Sequence, residues 1–132
     1  MPLITKIFVS IAGLLHVVFF LMESVFFMNE KIYTRFRFET LEQAEIVQSF
    51  AYNQGWYNLF LAIAAFIGVF GATKLKPNVA NTLAMYACFS MLGAALVLIT
   101  SSIEMARAAV IQGMPPLIAI VTFFVFKSKQ EQ

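Results

Sequence analysis

Cysteine and charge are both scarce in this chain of 132 residues. The single cysteine, Cys88, excludes an intrachain disulfide and a cysteine metal cluster. Because it lies in the middle of an apolar run, we expect it to be buried and unreactive. Charged residues make up 12% of the chain, the net charge is +2, and no run of five or six like charges occurs. The sequence therefore predicts no nucleic-acid partner.

Motifs for metal, phosphate and nucleophilic chemistry are missing as well. The one histidine and the scattered glutamates lack Glu-x-x-His spacing, which is typical of metal sites inside helix bundles. No Gly-rich phosphate loop, nucleophile elbow or His-Glu-x-x-His segment is present. We therefore expect no metal and no cofactor.

Apolar residues are what the chain has in excess. They make up 61% of it, against roughly 45–50% in soluble domains. Four apolar runs, residues 3–28, 51–72, 79–103 and 110–126, are each long enough to cross a hydrocarbon core, which takes about 20 residues. Short connections favour antiparallel neighbours. The sequence predicts one all-α transmembrane domain over residues 1–132, an up-down-up-down four-helix bundle in contact with membrane lipids.

The long polar segment between the first two runs, residues 29–50, has its own signals. Thr40-Leu41-Glu42-Gln43 has the form of a capping box, and apolar residues follow it at helical spacing. This pattern predicts a short amphipathic helix that runs into the second transmembrane helix. Aromatic residues and arginines alternate over residues 32–38, which is typical of a membrane interface. A short strand or an extended cover over the helix ends are the alternatives there.

Orientation follows from the positive residues at the two ends of the bundle. One side carries Lys6, Lys74, Lys76, Lys127 and Lys129, and the other carries Lys31, Arg35, Arg37 and Arg107. Lys and Arg are enriched on the cytoplasmic side of membrane proteins. We expect a multi-pass protein of the cell membrane with both termini in the cytoplasm, and the opposite orientation remains an alternative.

Most polar side chains of the four predicted helices fall at one end of the bundle, the predicted non-cytoplasmic end. The acid–base candidates are His16 and Glu23, which are seven residues apart, about 10 Å along one helix face. The ligand-binding candidates are Asn53, Gln54, Tyr57, Asn58, Glu104 and Gln112. Polar groups are costly in hydrocarbon unless each finds a partner, so this asymmetry indicates a polar pocket.

Each of these residues also has a structural interpretation. Polar residues at helix ends meet water and headgroups, and Tyr57 with Trp56 fits an aromatic belt. A neutral His16 can form a hydrogen bond to another helix and so stabilise the helix packing. Glu104 and Arg107 are three residues apart and can form an exposed pair.

Three stretches of the chain resemble a known family. They are His16 with Glu23, the run Asn53-Gln54-Gly55-Trp56-Tyr57-Asn58-Leu59-Phe60-Leu61-Ala62, and Gln112-Gly113-Met114-Pro115-Pro116. Together they are similar to small bacterial membrane proteins catalogued as domain of unknown function 1304. In that family Ala follows the first proline of the last motif, where this chain has Pro116. The resemblance implies a four-helix membrane protein and no activity.

Three functions remain open at this level. The first is a pocket that binds, and acts by acid–base chemistry on, a small apolar or lipid-like molecule. The second is proton-coupled transport through Glu23 or His16, with a homo-oligomer forming the pathway. The third is a non-catalytic membrane accessory protein whose polar cluster is structural.

Overall fold

The computed structural model describes residues 1–71 and 74–128, and within these ranges the ordered elements are all helical. The α-helices are α1 (Leu3–Phe20), α2 (Glu30–Tyr33), α3 (Leu41–Phe70), α4 (Pro77–Ser101) and α5 (Ala106–Ser128). A π-helical turn, Leu21–Val25, continues α1, and 3-10 turns cover Thr34–Phe36 and Ile103–Met105. The all-α prediction is confirmed, and the alternative of a strand at residues 32–38 is wrong because that segment is mostly helical.

Three of the described helical segments are long and apolar enough to cross a membrane. They are Leu3–Val25, Pro77–Ser101 and Ile103–Phe126. Helix α3 is not among them, although the sequence predicted a crossing over residues 51–72. The first part of α3 is polar. Its uninterrupted apolar part therefore runs only from Leu59 to Phe70 within the described residues. That length is below the about 20 residues that a hydrocarbon core requires.

Helix α3 runs from an amphipathic segment into an apolar one, as the sequence predicted. It begins at Leu41, and the predicted capping box forms at its start. The Gln43 amide donates to Thr40 Oγ1 over 3.2 Å. Gln43 Oε1 in turn accepts from the Glu39 amide over 2.8 Å, one residue earlier than the ideal box would have it. No break separates the amphipathic start of α3 from its apolar end.

The contacts of the chain cluster into two compact units. The large unit comprises the described residues of Met1–Leu15 and Leu61–Gln132, and the small unit comprises His16–Phe60. The sequence-based prediction of a single transmembrane domain stays a prediction.

One apolar cluster fills the large unit, and small side chains dominate it. Its buried members come from α1, α3, α4 and α5: Val9, Ala12, Ala65, Val69, Ala84, Met85, Ala87, Cys88, Met91, Ala119 and Ile120. Cys88 is buried and forms no disulfide, as its apolar surroundings predicted. Alanine and glycine at these positions let helix backbones approach closely, and a Cβ on Gly68 would lie 2.7 Å from the Ala84 amide nitrogen.

Two prolines lie inside α5 rather than in its first turn. The predicted helix start near residue 110 moves back to Ala106, which places Pro115 and Pro116 in the helix interior. Proline has no amide hydrogen, so these residues cannot donate to the carbonyl groups of Ile111 and Gln112. Interior prolines are tolerated in membrane helices where neighbouring groups satisfy those carbonyls.

The small unit has an aromatic core of its own. Phe27, Tyr33 and Ala44 are buried in it. The Phe27 ring lies 5.9 Å from Phe36 and 6.0 Å from Phe38, measured between centroids. Arg37, between those two phenylalanines, is left-handed with φ 70°. The aromatic residues that the sequence analysis assigned to a membrane interface thus form a packed core.

Candidate functional site

A hydrogen bond between Glu23 and Asn58 is the centre of the polar site. Asn58 Nδ2 donates to Glu23 Oε2 over 2.7 Å, and 6% of Asn58 is exposed. A buried carboxamide loses its water and needs a partner, which the carboxylate supplies. The described contacts give Glu23 this one hydrogen bond, so Oε1 accepts none from the described residues.

The π-helical turn sets the direction of Glu23. The Phe26 amide donates to the Leu21 carbonyl over 2.8 Å, five residues back, which closes the wider π turn. Such single turns occur frequently at functional sites, because the extra residue changes where the following side chains point. Here Ser24, the next residue, donates to the Tyr52 carbonyl of α3 over 2.8 Å. Two consecutive side chains of the turn therefore bind α3.

Gly55 makes this close approach feasible. It is buried on α3, between Tyr52 and Asn58. A Cβ on Gly55 would collide with Ser24 Oγ and lie 3.1 Å from the Cβ atoms of Glu23 and Ser24. The glycine therefore leaves the space that the π turn occupies.

Aromatic rings pack beside the polar pair. Trp56 contacts Phe20 edge-on, with centroids 5.1 Å apart, and its ring also lies 6.2 Å from Tyr52 and 6.1 Å from Phe60. Edge-on and tilted contacts of this kind stabilise aromatic clusters beyond their area of contact. The indole thus holds α3 against the end of α1 through apolar contacts, next to the hydrogen bonds of Ser24 and Glu23.

A cavity of about 290 Å³ opens onto Glu23. Its lining residues all belong to the small unit: Glu23, Ser24, Val25, Phe27, Met28, Gln48, Ser49 and Tyr52. The lining residues include a carboxyl group, hydroxyl groups and a carboxamide as well as apolar side chains. Small-molecule sites in proteins commonly combine an apolar lining with a few polar groups.

The residues that the sequence analysis grouped together are divided between the two units. Glu23 and Asn58 meet, and His16 is fully buried in the small unit, with its ring 5.4 Å from that of Phe19 in an edge-on contact. The other predicted small-unit residues, Asn53, Gln54 and Tyr57, are exposed. Glu104, which is exposed, and Gln112, which is partly buried, belong to the large unit. The ligand-binding roles of these residues stay predictions.

Sequence reasoning missed Ser24, Gln48, Ser49 and Tyr52 as cavity residues. The available signal for Gln48 and Tyr52 was the helical period of α3, which places residues 48, 51, 52 and 55 on the side that leads to Asn58. For Ser24 the signal was its position directly after Glu23.

A larger cavity, about 710 Å³, lies in the large unit. Its lining comprises Met1, Pro2, Asn78, Asn81, Thr82, Met85, Tyr86, Phe123, Phe124 and Phe126. None of these side chains is a carboxylate, an imidazole or a basic group. This cavity therefore lacks the acid–base side chains that distinguish the Glu23 site, despite its greater volume. Among residues 1–71 and 74–128, no three His, Cys, Asp or Glu side chains come close enough together to hold a metal ion.

Comparison with known families adds one match. A family model described as "Protein of unknown function (DUF1304)" matches residues 10–124, a range that contains every candidate site residue named above. This match confirms the resemblance seen in the three sequence motifs. No curated protein and no solved structure matches the chain.

Proposed function

The chain belongs to the DUF1304 family, whose function is unknown, and from the geometry of its small unit we propose that it is a multi-pass membrane protein that binds a small amphiphile at Glu23. The cavity beside Glu23 carries this proposal, because it brings one carboxyl group and an apolar wall to the same space. Asn58 occupies Oε2 and orients the carboxyl group. The ligand would place a hydrogen-bond donor, a hydroxyl or an amine, against Oε1.

The size of the cavity limits the ligand. A volume of about 290 Å³ lies at the lower end of the about 300–1,000 Å³ typical of small-molecule sites. It suits a short-chain molecule or the polar end of a longer lipid. Phe27 and Met28 provide apolar contact, while Ser24 and Gln48 can bind further polar atoms of the ligand.

Binding is the part of the earlier hypothesis that the geometry supports best. Acid–base chemistry would also require His16, and that residue is not part of the cavity lining. Glu23 alone can hold a proton or a donor group, which is sufficient for binding. Transport and a purely structural role are therefore outcomes that the experiment below distinguishes.

The test uses two probe molecules, octanol and octyl methyl ether. Octanol has a hydroxyl group that can donate a hydrogen bond, and the ether has no such donor. Purified protein in detergent is titrated with each, and the rise in melting temperature is measured. We expect octanol to stabilise the protein more than the ether, because the ether cannot donate to Glu23 Oε1. Glu23→Leu should abolish that difference, whereas Glu45→Leu, which replaces an exposed glutamate of the same unit, should preserve it.

Equal stabilisation by both probes in the unsubstituted protein would exclude a donor-specific site and favour the accessory role. A second arm reconstitutes the protein in vesicles. Proton flux that depends on an added amphiphile would replace the binding-only proposal with transport.

We also propose that α3 crosses the membrane, which gives a four-helix bundle with both termini in the cytoplasm. Support comes from the core of the large unit, to which α3 contributes Ala65 and Val69 beside residues of α1, α4 and α5. Parity provides a direct test: three crossings place the termini on opposite sides, and four place them on the same side. Tags at both termini, assayed for protease access in intact and in opened cells, should report one side. Termini on opposite sides would show that α3 does not cross.

A further inference from the structure

The cavity beside Glu23 contains an acid without a base. Its described lining residues include one carboxyl group, that of Glu23, and no lysine, arginine or histidine. The basic residues of the small unit are Lys31, Arg35 and Arg37, and none of them belongs to this lining. A ligand in the cavity therefore meets a carboxyl group that has no described basic side chain beside it.

The partner of Glu23 within the chain is neutral. Asn58 Nδ2 donates to Oε2 over 2.7 Å, and no described basic side chain pairs with the carboxyl group. A carboxamide satisfies the hydrogen bonding of one oxygen, but it carries no charge that balances a carboxylate. Acidic side chains withdrawn from water are generally paired with a positive group. Glu23 is partly buried, so a positive group on the ligand would complete this pairing.

The hydroxyl group next to Glu23 offers the ligand a second acceptor. Ser24 Oγ donates its single hydrogen to the Tyr52 carbonyl over 2.8 Å, so in this arrangement the oxygen can only accept a further bond. Glu23 Oε1 is an acceptor as well. A ligand hydroxyl has one hydrogen and can satisfy one of these two oxygens, whereas a primary alkylammonium has three N–H donors and can bind both.

Aromatic and apolar side chains complete the lining of the cavity. Phe27, Met28 and Tyr52 belong to it. A cation near the face of an aromatic ring is attracted by the electrons of the ring. An anionic head group would instead approach the Glu23 carboxylate, and like charges repel. A phosphate beside the ammonium, as in an ethanolamine lipid, would meet the same repulsion without a described basic side chain to offset it.

We propose that the amphiphile bound at Glu23 is a primary alkylammonium. Its N–H groups donate to Glu23 Oε1 and Ser24 Oγ, and its chain lies against Phe27 and Met28. This inference rests on the proposed function and narrows the ligand from any hydrogen-bond donor to a cation with several donors. Ser24 then helps to select the ligand in addition to binding α3.

A series of octyl compounds tests the proposal in the purified full-length protein. Dissociation constants are measured by calorimetry in a nonionic detergent at neutral pH. Octylamine should bind about tenfold more tightly than octanol, because the ammonium adds an opposite charge and a second hydrogen bond. Protonated dimethyloctylamine and trimethyloctylammonium keep the charge but have one N–H and none. We expect affinity to fall about fivefold at each of these two steps.

Glu23→Gln separates charge from hydrogen bonding. The new carboxamide can donate to octanol, whose oxygen accepts, but an ammonium has no acceptor to offer. Octylamine should therefore bind at least about tenfold more weakly to this variant, while octanol stays within about twofold. Glu45→Gln is the matched control, since Glu45 is exposed in the same unit and outside the cavity lining. It should keep the preference for octylamine.

The outcomes distinguish this inference from the proposed function. Equal affinity for octanol and octylamine, with both above octyl methyl ether, would overturn the ammonium and leave amphiphile binding intact. Equal affinity for all three ammonium compounds would overturn the paired hydrogen bonds. No preference for octanol or octylamine over the ether would exclude both proposals. The series in the unsubstituted protein depends on no variant and decides the question alone.

A last arm distinguishes a free amine from a lipid head group. Dioctanoyl phosphatidylethanolamine has the same ammonium next to a phosphate, and dioctanoyl phosphatidylcholine has no N–H donor. We expect neither lipid to displace octylamine. Displacement by the ethanolamine lipid alone would keep the ammonium site and assign its ligand to a lipid, whereas displacement by both lipids equally would overturn the proposal.

Discussion

The large and small units of the chain are held together by different means. The large unit packs small side chains, chiefly alanines, around Met91 and Cys88, and its glycines allow close backbone contact. The small unit combines an aromatic core with two hydrogen bonds to α3, one that Glu23 accepts and one that Ser24 donates. This contrast indicates that shape complementarity stabilises the large unit, whereas the small unit also depends on hydrogen bonds between polar side chains and α3.

The buried polar side chains support the same contrast. In the large unit Thr5 is fully buried, and its hydroxyl lies 2.9 Å from that of Thr122. Thr122 Oγ1 also contacts the Ile118 carbonyl at 2.8 Å, a local bond that threonines in helices commonly form. In the small unit the buried carboxamide of Asn58 meets a carboxyl group that also lines a cavity. The first pair joins two helices, and the second borders a cavity.

The largest expected effect is on the packing of the large unit. Gly68→Ala should lower stability by about 1–3 kcal/mol, because the added Cβ would lie 2.7 Å from Ala84 and 2.8 Å from the Ala80 carbonyl. Gly93→Ala is the matched control, since nothing lies within 4 Å of its Cβ position. Thermal melts in detergent compare the two variants. Similar melts for both would mean that α3 and α4 can separate freely at Gly68.

The next effect sharpens the contrast at the polar pair. Asn58→Leu should cost about 1–3 kcal/mol, because it removes the hydrogen-bond donor of the Glu23 carboxyl group and leaves that group unsatisfied. Replacing both residues, Glu23→Leu with Asn58→Leu, should restore much of the stability, since no unpaired group remains. Thermal melts in detergent of the two single variants and the double variant measure this double-mutant cycle. A double variant that loses the sum of the two single losses would argue that each residue has a separate structural role.

A smaller effect concerns the space beside the π turn. Gly55→Ala should cost about 1 kcal/mol, because Ser24 Oγ must move and give up its bond to the Tyr52 carbonyl. Ser24→Ala in the same chain removes the oxygen and should recover part of the loss, which a double-mutant cycle measures. An increase in melting temperature for Gly55→Ala alone would show that the π turn is not tightly fixed.

The smallest effect is expected for the hydroxyl pair of the large unit. Thr5→Val removes one hydrogen bond between helices, and such bonds average about 0.6 kcal/mol in a membrane protein. Chemical denaturation in mixed micelles can resolve a change of that size. A loss above about 2 kcal/mol would break the comparison, because the large unit would then also depend on polar contacts.

Several features could be predicted from residues alone. The apolar runs predicted at residues 3–28, 79–103 and 110–126 overlap the long apolar helical segments at residues 3–25, 77–101 and 103–126. Cys88 is buried, and Thr40 with Gln43 caps α3. These follow from local rules, since run length, capping chemistry and burial preference depend on neighbours in the sequence.

Other features required contacts between distant residues. Polarity by itself could not separate Asn58, which is buried, from Asn53 and Gln54, which are exposed. Nor did any periodicity indicate the π turn, which inserts one residue into the register of the helix.

The sequence by itself determined the all-α class, the apolar segments and the family, because these depend on composition, run length and motif. Tertiary structure decided which polar residues meet. Glu23 reaches Asn58 because a π turn redirects its side chain and because Gly55 provides the space, and both conditions depend on residues about 30 positions apart in the chain. A hydrogen bond requires donor and acceptor within about 3 Å, and only the packing of the turn against α3 fixes that distance.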